Sequence, residues 1–502
     1  MPEGSRPTAA TLAMLLLTAL LTLLPPQQSP TPDAPDFPRL SAEQVAEDVA
    51  LARRTYETVH PGYDRYTPAD ALGAAWDQVV TDAERADGMG IGEFYVRLSA
   101  VLAEIRCDHT KAELSPAQVE RRESSPVYLP IRWDVVEGRG IILASADARI
   151  APRSELLAVD GVPVAELVER YAPLVPIDGF TEGSREGQLG FGSEWRGGAI
   201  EHFAIEEGRA QPQATLEVRA PGGVAESVVV DRLDLGAWRE LVASVRPFRL
   251  NFADAVHFER VGEDAALLRI DTFVNYRQPV RPDRIYDPIF RTLQKEGRTK
   301  LILDLRQNGG GSADAQVRLF AHLIDRPSRL VRDVRTKTLE LGDLREHLTT
   351  WDKRALNPRK TWFRPNEDGS YSLRRRLDPA MRTVRPDRWA FDGEIVVLTS
   401  RDNASAVSTL LAKLGQQGNV TLVGEPTGGS AEGVTANILL FLKLPHSKIV
   451  TRVPAQRIYN DVERFEPGLG VSPDILVRRT ADDAFAGEDP AMARAVEMVT
   501  GR

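Results

Sequence analysis

The sequence predicts an α/β protein with more than one domain. Between residues 265 and 430, short apolar segments alternate with segments of helical character. The apolar segments are ALLRIDTFV (266–274), LILDLRQ (301–307), EIVVLTS (394–400) and VTLVGEP (420–426). This alternation is typical of parallel strands joined by helical crossovers. A chain of 502 residues, 42% of them hydrophobic, is also long enough to bury several separate cores.

The first 37 residues predict a secretory signal followed by a disordered spacer. An apolar run at residues 9–24 follows Arg6, and a proline-rich stretch comes after it. The run is shorter than the roughly 20 residues that a spanning helix prefers. We therefore expect the rest of the chain to be extracytoplasmic, either periplasmic or secreted. Retention of the apolar run as a membrane tether is the alternative.

Residues 38–115 predict an N-terminal helical domain. Ser41 and Gln44 have the spacing of a capping box, and three segments between residues 41 and 106 repeat apolar residues at helical spacing. From about residue 127 the pattern changes to short β-like runs separated by turn residues. Examples are SELLAVDGVPV (154–164), ATLEVRAPGG (214–223) and AESVVV (225–230). They predict a β-rich domain at residues 116–233, with a tight turn at Asp160-Gly161.

The α/β alternation places a third domain at residues 234–480. Within it, the charged stretch at about 331–389 predicts a surface insertion, and residues 481–502 predict a C-terminal helix.

Charge and composition exclude several kinds of partner and site. The net charge of −9 argues against a nucleic-acid partner. The single cysteine, Cys107, excludes an internal disulfide and a cysteine-rich zinc site. No two histidines have metal-ligand spacing on a helix, so we expect neither a catalytic metal nor another cofactor. The oligomeric state is not indicated.

Two segments carry the residues that acyl transfer requires. LILDLRQNGGG (301–311) predicts a strand that runs into a glycine turn, and TSRDNASAVSTLLAKL (399–414) places Ser405 where a loop becomes a helix. Amides of a glycine turn and of a helix N-terminus can stabilise the oxyanion that forms after a serine attacks a carbonyl. Ser405 is therefore a candidate nucleophile. Its other interpretation is that of a residue that merely begins a helix.

Four segments in combination resemble the C-terminal processing peptidase (tail-specific protease) family of serine peptidases. They are LILDLRQNGGG, TSRDNASAVSTLLAKL, TLVGEPTGG (421–429) and GLGVSPDILV (468–477). The resemblance implies a crotonase-like spiral catalytic domain and a PDZ-like fold for the β-rich domain. It also implies that the substrate is a peptide or an unfolded protein.

The chain departs from that family at the catalytic base. Where tail-specific members carry a lysine, this sequence has Ser430, and the acidic residue usual on the serine helix is replaced by Ser408. The chain is more similar to the branch that includes tricorn protease and interphotoreceptor retinoid-binding protein. Tricorn protease uses a histidine as base, and the matching motif here is Asp108-His109-Thr110. A neutral imidazole can accept a serine proton near pH 7.

The resemblance thus implies a site in which Ser405 is the nucleophile and His109 the general base. Glu466, or failing that Glu463, would be the supporting carboxylate. The remaining expected roles are oxyanion donors at Gly309 or Gly310 and Ala406, and substrate-binding residues at Gly429 and Ser430.

Two other functions stay open at this stage. A catalytically inactive protein that binds a ligand or a peptide is one, because the fold also occurs in carriers. Hydrolysis of a different acyl substrate by the same serine is the other, since a fold does not determine a reaction.

Overall fold

The computed structural model describes residues 38–501 except 192–194, 196 and 248–249. The predicted signal and spacer lie outside the described residues, as does the apolar run that would be a membrane tether in the alternative interpretation. Among the residues that are described, no helix is both long enough and apolar enough to cross a membrane.

Three helices form the N-terminal region, as the sequence predicts. They are Ala42–Val59, Ala69–Arg85 and Ile91–Glu104. Ser41 Oγ accepts the Gln44 N–H, and the Gln44 side chain accepts the Ser41 N–H, so the capping box is confirmed. Short strands at Arg39–Leu40 and Met89–Gly90 pair across the region, and a fourth helix, Pro116–Ser124, follows it.

The β-rich region contains a six-stranded antiparallel sheet. Its strands are Ile131–Val136, Arg139–Ser145, Glu155–Val159, Val162–Pro163, Gln213–Arg219 and Ala225–Asp231. Asp160 and Gly161 both have positive φ, as the tight turn predicted there requires. The helices around this sheet are Val164–Tyr171, Glu182–Leu189, Ala199–Glu206 and Leu235–Val245, with a 3-10 turn at Ala172–Leu174.

A six-stranded sheet, which we call the core sheet, holds the predicted α/β alternation. In spatial order its strands are Val256–Val261, Ala265–Ile270, Lys300–Asp304, Glu394–Thr399, Val420–Gly424 and Ile475–Leu476. The last five run parallel, and Val256–Val261 is antiparallel at the edge. This confirms the α/β class.

Helices cover both faces of the core sheet. Asp283–Lys295, Ala313–His322 and Ser405–Leu414 pack on one face, and Pro490–Thr500 packs on the other. Alternate residues of the Lys300–Asp304 strand explain the two layers: Leu301 and Leu303 belong to one apolar cluster and Ile302 to the other. The expected single C-terminal helix is two helices, Ala481–Ala486 and Pro490–Thr500, because Gly487 ends the first in a left-handed conformation.

A second sheet of seven strands lies beside the core sheet. Its main path runs Leu348–Thr349, Thr435–Lys443, Val450–Asn460, Val331–Thr336, Tyr371–Leu373 and Phe363–Pro365. Ala112–Glu113 adds a seventh strand and so connects the N-terminal region to this sheet. The expected surface insertion thus supplies four of the seven strands. The sequence prediction was wrong on this point, because Val331 and Val334 are buried within the sheet.

Short 3-10 helices fill the connections. They are Phe252–Asp254, Gly342–His347, Lys353–Leu356, Lys360–Trp362, Arg375–Leu377 and Pro379–Met381.

Candidate active site

The core sheet brings three loops to one edge. Lys300–Asp304, Glu394–Thr399 and Val420–Gly424 are neighbouring parallel strands, so the loops after their carboxyl ends meet. We call them the glycine turn (residues 305–311), the serine loop (400–404) and the cover loop (425–430). The serine loop leads into the serine helix, Ser405–Leu414.

Ser405 has a strained backbone at the start of this helix. Its φ is +55°, in the left-handed region that residues with a Cβ rarely adopt. Strain of this kind clusters at functional sites and is a feature of turns that present a nucleophilic serine. Ser405 is only half-buried.

Gly310 of the glycine turn and Gly429 of the cover loop pack closely against Ser405 and its neighbours. A Cβ on Gly310, whose φ is +104°, would lie 2.8 Å from both Ala404 O and Ser405 Cβ. A Cβ on Gly429 would lie 2.8 Å from Ser408 Cβ and 3.1 Å from Ala404 Cα. The glycine turn and the cover loop can approach the serine this closely only because neither residue has a side chain.

Two buried asparagines hold the glycine turn and the serine loop together. Asn403 Nδ2 donates to Leu305 O at 2.6 Å and to Asn308 O at 3.0 Å. Asn308 Oδ1 accepts the Gly310 N–H at 2.8 Å. Sequence reasoning missed both roles. The only available signal was their place inside the NGGG and DNAS segments.

Two backbone amides remain available to bind an oxyanion. The N–H groups of Gly309 and Ala406 have no hydrogen-bond acceptor within the described part of the chain. The Gly310 N–H is already used by Asn308, so of the two expected glycine donors only Gly309 is available in this structure. Gly309 is also exposed, and Ala406 lies in the first turn of the serine helix, where the helix dipole favours negative charge.

Replacing these two glycines by alanine is expected to give opposite results. Gly310→Ala forces a Cβ into Ala404 and Ser405, so we expect it to displace the serine loop and lower kcat/KM by more than about 100-fold. Gly309→Ala keeps the amide, and its Cβ would meet only Asp402 O, at 3.9 Å, so it is expected to keep most of the activity. Steady-state peptide hydrolysis measures both. Equal losses in the two variants would contradict this geometry.

The loop that carries His109 is fixed by backbone contacts. The Thr110 N–H donates to Cys107 O at 2.9 Å, and Cys107 Sγ donates to Thr435 O at 3.4 Å. The Asp108 N–H donates to Asp178 Oδ1 at 3.1 Å. A ring nitrogen of His109 lies within 4.8 Å of a carboxylate oxygen of Asp178.

Residues 178–181 connect this loop to the cover loop. The Gly179 N–H donates to Arg106 O at 3.0 Å, and Thr181 Oγ1 donates to Gly428 O at 2.8 Å. The same short segment therefore contacts the His109 loop on one side and the loop packed on the serine helix on the other. The contacts described for Ser405 itself do not include one to His109.

Burial sets the electrostatics around His109. It raises the pKa of the Asp178 carboxyl, and the nearby Asp108 carboxylate adds to the effect. Burial also lowers the pKa of His60 to about 3, so that imidazole is neutral near pH 7. His60 accepts the Gly62 N–H at Nδ1 and contacts Thr110 Oγ1 through Nε2, as a structural histidine does.

The expected supporting glutamates lie away from these contacts. Glu466 and Glu463 are exposed, and neither carboxylate has a hydrogen bond or ion pair within the described residues. Glu432, a half-buried glutamate near Gly468, accepts from Tyr66 at 3.2 Å and from the Gly468 N–H at 2.9 Å. Asp178, unlike these glutamates, has a carboxylate oxygen within 4.8 Å of a ring nitrogen of His109.

Ser430 and Gly429, the expected substrate-binding residues, are part of the cover loop. The Gly429 N–H donates to Asn403 O at 2.8 Å. Ser430 is buried and bridges to Gly470, and its hydroxyl has no hydrogen-bond partner among the residues described. Lys413 donates to Asp461 O at 2.6 Å, so it does not serve Ser405 as a base.

Comparisons with known proteins found one family model that matches part of the chain and solved structures of similar fold. Residues 264–477 match the model of peptidase family S41. Mature CPAF in complex with lactacystin superimposes with a TM-score of 0.62 at 17% identity, covering 91% of this chain and 97% of CPAF. A serine-to-alanine mutant of CPAF gives 0.64 at 15% identity, covering 91% and 96%. The photosystem II D1 C-terminal processing protease overlaps less closely, with a TM-score of 0.41 at 16% identity and coverage of 88% and 94%. No curated protein sequence matches the chain significantly.

Proposed function

We propose that this chain, a serine-type peptidase by its peptidase family S41 domain at residues 264–477, cleaves peptide bonds with Ser405 as nucleophile and His109 as general base. The family resemblance inferred from the sequence is confirmed by that match. The comparisons lend no support to the alternative of an inactive carrier. The apolar run at residues 9–24 supports a location outside the cytoplasm.

One observation carries the proposal for Ser405. Ser405 has a left-handed backbone against which Gly310 packs closely, and this observation is supported by the available amides of Gly309 and Ala406 in the adjoining segments. A serine that only began a helix would not require a strained φ or a glycine packed against its Cβ. Amides fixed in advance around a developing oxyanion are usually the largest single contribution to acyl-transfer catalysis.

The reaction then follows from these groups. Ser405 Oγ attacks the scissile carbonyl carbon while His109 takes the hydroxyl proton. The carbonyl oxygen becomes an oxyanion and accepts hydrogen bonds from the Gly309 and Ala406 N–H groups. As the C–N bond breaks, His109 gives the proton to the leaving amine, which departs as the N-terminus of the C-terminal fragment. His109 then takes a proton from water, whose oxygen attacks the acyl carbonyl. The bond between the acyl group and Ser405 Oγ breaks, the N-terminal fragment leaves with a free carboxyl group, and His109 returns the proton to Ser405 Oγ.

Residues 178–181 connect the loop that carries His109 to the loop that packs on the serine helix. Asp178 accepts the Asp108 N–H beside His109, and Thr181 donates to Gly428 O in the cover loop. The proposal requires the imidazole and the serine hydroxyl to come into hydrogen-bond contact in the substrate complex. Catalytic hydrogen bonds that are long in a free enzyme often shorten when substrate binds.

An exposed apolar patch near the cover loop supports an unfolded substrate. Phe180 and Leu469 are 47% and 36% exposed, and the rings of Tyr66 and Phe180 are 5.5 Å apart. Leu469 O accepts the Ala431 N–H just after the cover loop. Apolar side chains that could occupy this patch are buried in folded proteins and accessible in unfolded ones.

We further propose that Asp178, rather than Glu466, is the positioning residue of His109. Asp178→Asn is expected to lower kcat by roughly 100-fold or more with little change in KM, because the imidazole would lose its orienting carboxylate. Glu466→Gln changes an exposed side chain and is expected to have a much smaller effect. Steady-state kinetics on both variants decide between them. A larger loss in Glu466→Gln would return the role to Glu466.

Turnover of a protein substrate tests the function as a whole. Purified full-length protein is expected to degrade casein and a tagged unfolded peptide, and to be inactivated by a fluorophosphonate. Hydrolysis of small esters without any cleavage of peptides would favour a different acyl substrate. Binding of casein without cleavage would favour a carrier.

A further inference from the structure

The proposed base is one of three potential metal ligands that lie close together. Cys107, His109 and Asp178 each offer one ligand atom, and these atoms all lie within 4.8 Å of one another. Cys107 and Asp178 are 3% and 4% exposed, whereas His109 is half-buried. The set combines sulfur, nitrogen and oxygen, which are the donors that Zn²⁺ takes in proteins.

One oxygen of the Asp178 carboxylate is buried without a hydrogen-bond partner among the described residues. Its Oδ1 accepts the Asp108 N–H, but its buried Oδ2 has no hydrogen-bond partner within the described residues. A buried polar atom without a hydrogen-bond partner destabilises the folded state. A bound cation would satisfy it.

The surrounding contacts keep the three residues in place. The Thr110 N–H donates to Cys107 O, and the Gly179 N–H donates to Arg106 O, so the backbone on both sides of the cluster is fixed. Lys111 Nζ is paired with Asp108 Oδ1 at 3.1 Å, so its charge is used by the neighbouring carboxylate.

A second cluster of potential metal ligands differs from this one because an arginine already neutralises its carboxylates. Asp287, His322 and Asp387 also lie within 4.8 Å of one another, but Arg318 pairs with both of these carboxylates. A guanidinium already supplies the positive charge there. No arginine pairs with Asp178 within the part of the chain that the structure describes.

We propose that Cys107, His109 and Asp178 bind Zn²⁺ or another thiophilic divalent cation as an inhibitory site. The cysteine sulfur, a histidine nitrogen and a carboxylate oxygen provide three ligands, and water completes the tetrahedron. On binding, the Cys107 thiol releases its proton to solvent, and the ion exchanges bound waters for the protein ligands. Mg²⁺ and Ca²⁺, which prefer oxygen ligands, bind poorly.

Metal binding inhibits the peptidase because one of the ligands is His109, the general base; this inhibitory role rests on the proposed function. The metal uses the His109 lone pair and fixes the imidazole in its loop, so the imidazole cannot accept the Ser405 proton. Peptidase activity is restored when a chelator removes the ion. The cluster thus couples activity to the concentration of free zinc.

Cobalt(II) titration tests the binding independently of activity. We expect the full-length protein to develop a thiolate-to-cobalt charge-transfer band, and Zn²⁺ to abolish it by competition. Cys107→Ser should remove the band, because serine offers no thiolate to the metal. The variant is expected to fold, because a serine hydroxyl can still donate to Thr435 O. Asp178→Asn should weaken cobalt affinity by at least the roughly 10–100-fold that lost supporting groups cost at metal sites. Circular dichroism checks that each variant is folded.

A peptidase assay then tests inhibition. Micromolar Zn²⁺ is expected to inhibit the wild type reversibly, and Cys107→Ser, measured against its own zinc-free rate, should lose sensitivity to zinc by more than about tenfold. Absence of the cobalt band in the folded wild type, or its persistence in Cys107→Ser, would overturn the site. A cobalt band without zinc inhibition would leave the site standing and overturn the role of His109 as the base.

Discussion

Ser405→Ala is expected to lower kcat for peptide hydrolysis by at least about 10⁴-fold, the largest loss of any single substitution in this chain. Removing the nucleophile leaves only binding and oxyanion stabilisation, which support a small residual rate. The amides of Gly309 and Ala406 stay in place, so substrate binding should change little. Rates of cleavage of a tagged peptide by the purified variants give the measurement.

Ser405→Gly provides a matched variant that separates chemistry from stability. It is expected to be as inactive as Ser405→Ala, yet more stable by about 1 kcal/mol, because glycine tolerates the φ of +55° and alanine does not. Denaturant unfolding of the two variants measures the difference. Appreciable peptidase activity in either variant would rule out Ser405 as the nucleophile.

His109→Ala is expected to lower kcat by roughly 10²–10⁴-fold, the range that general acid–base catalysis contributes. The imidazole both accepts the serine proton and returns it to the leaving amine, so its loss slows acylation directly. His446→Ala is the control, because His446 pairs with Glu47 at 2.6 Å and has no part in the site. It should retain nearly full activity.

The two histidine variants also test the structural interpretation of the His109 loop. If His109→Ala retained wild-type kcat, the loop would be a brace between the N-terminal region and the core, and another group would have to activate Ser405. Unfolding curves for both variants show whether a loss of kcat comes from a loss of fold.

Local patterns in the sequence predicted the elements of the fold that depend on local interactions. The three N-terminal helices, the capping box at Ser41 and the parallel strands of the core sheet are all present. Capping and amphipathic spacing act over a few residues, so they can be read directly from a sequence. The position of Ser405 at a helix start was predicted for the same reason.

The second sheet shows where that approach failed. Val331–Thr336 is a short strand rich in arginine and aspartate that pairs with Val450–Asn460, more than a hundred residues away. Its charged residues concealed a strand in which Val331 and Val334 are buried, three residues apart, across an irregularity in the pairing. Pairing between distant segments is decided by the whole fold and leaves only a weak local signal.

In the candidate site too, the features that depend on local patterns were predicted and those that depend on long-range contacts were missed. The glycine turn and the serine loop are adjacent because parallel neighbouring strands deliver their loops to one edge, which the sequence pattern implied. The roles of Asn308, Asn403 and Asp178 depend on which carbonyls and side chains they meet in three dimensions. The expected role of Glu466 rested on a family motif, and in this structure that side chain is exposed.

The central claim is that an imidazole from the first quarter of the chain activates a hydroxyl from its last fifth. The most direct test is the rate at which a fluorophosphonate labels Ser405, followed by mass spectrometry of the labelled peptide in the wild type and in His109→Ala. We predict that the label falls on Ser405 and that its rate drops about 100-fold or more without His109. An equal rate in the two proteins, or a label on another residue, would contradict the account.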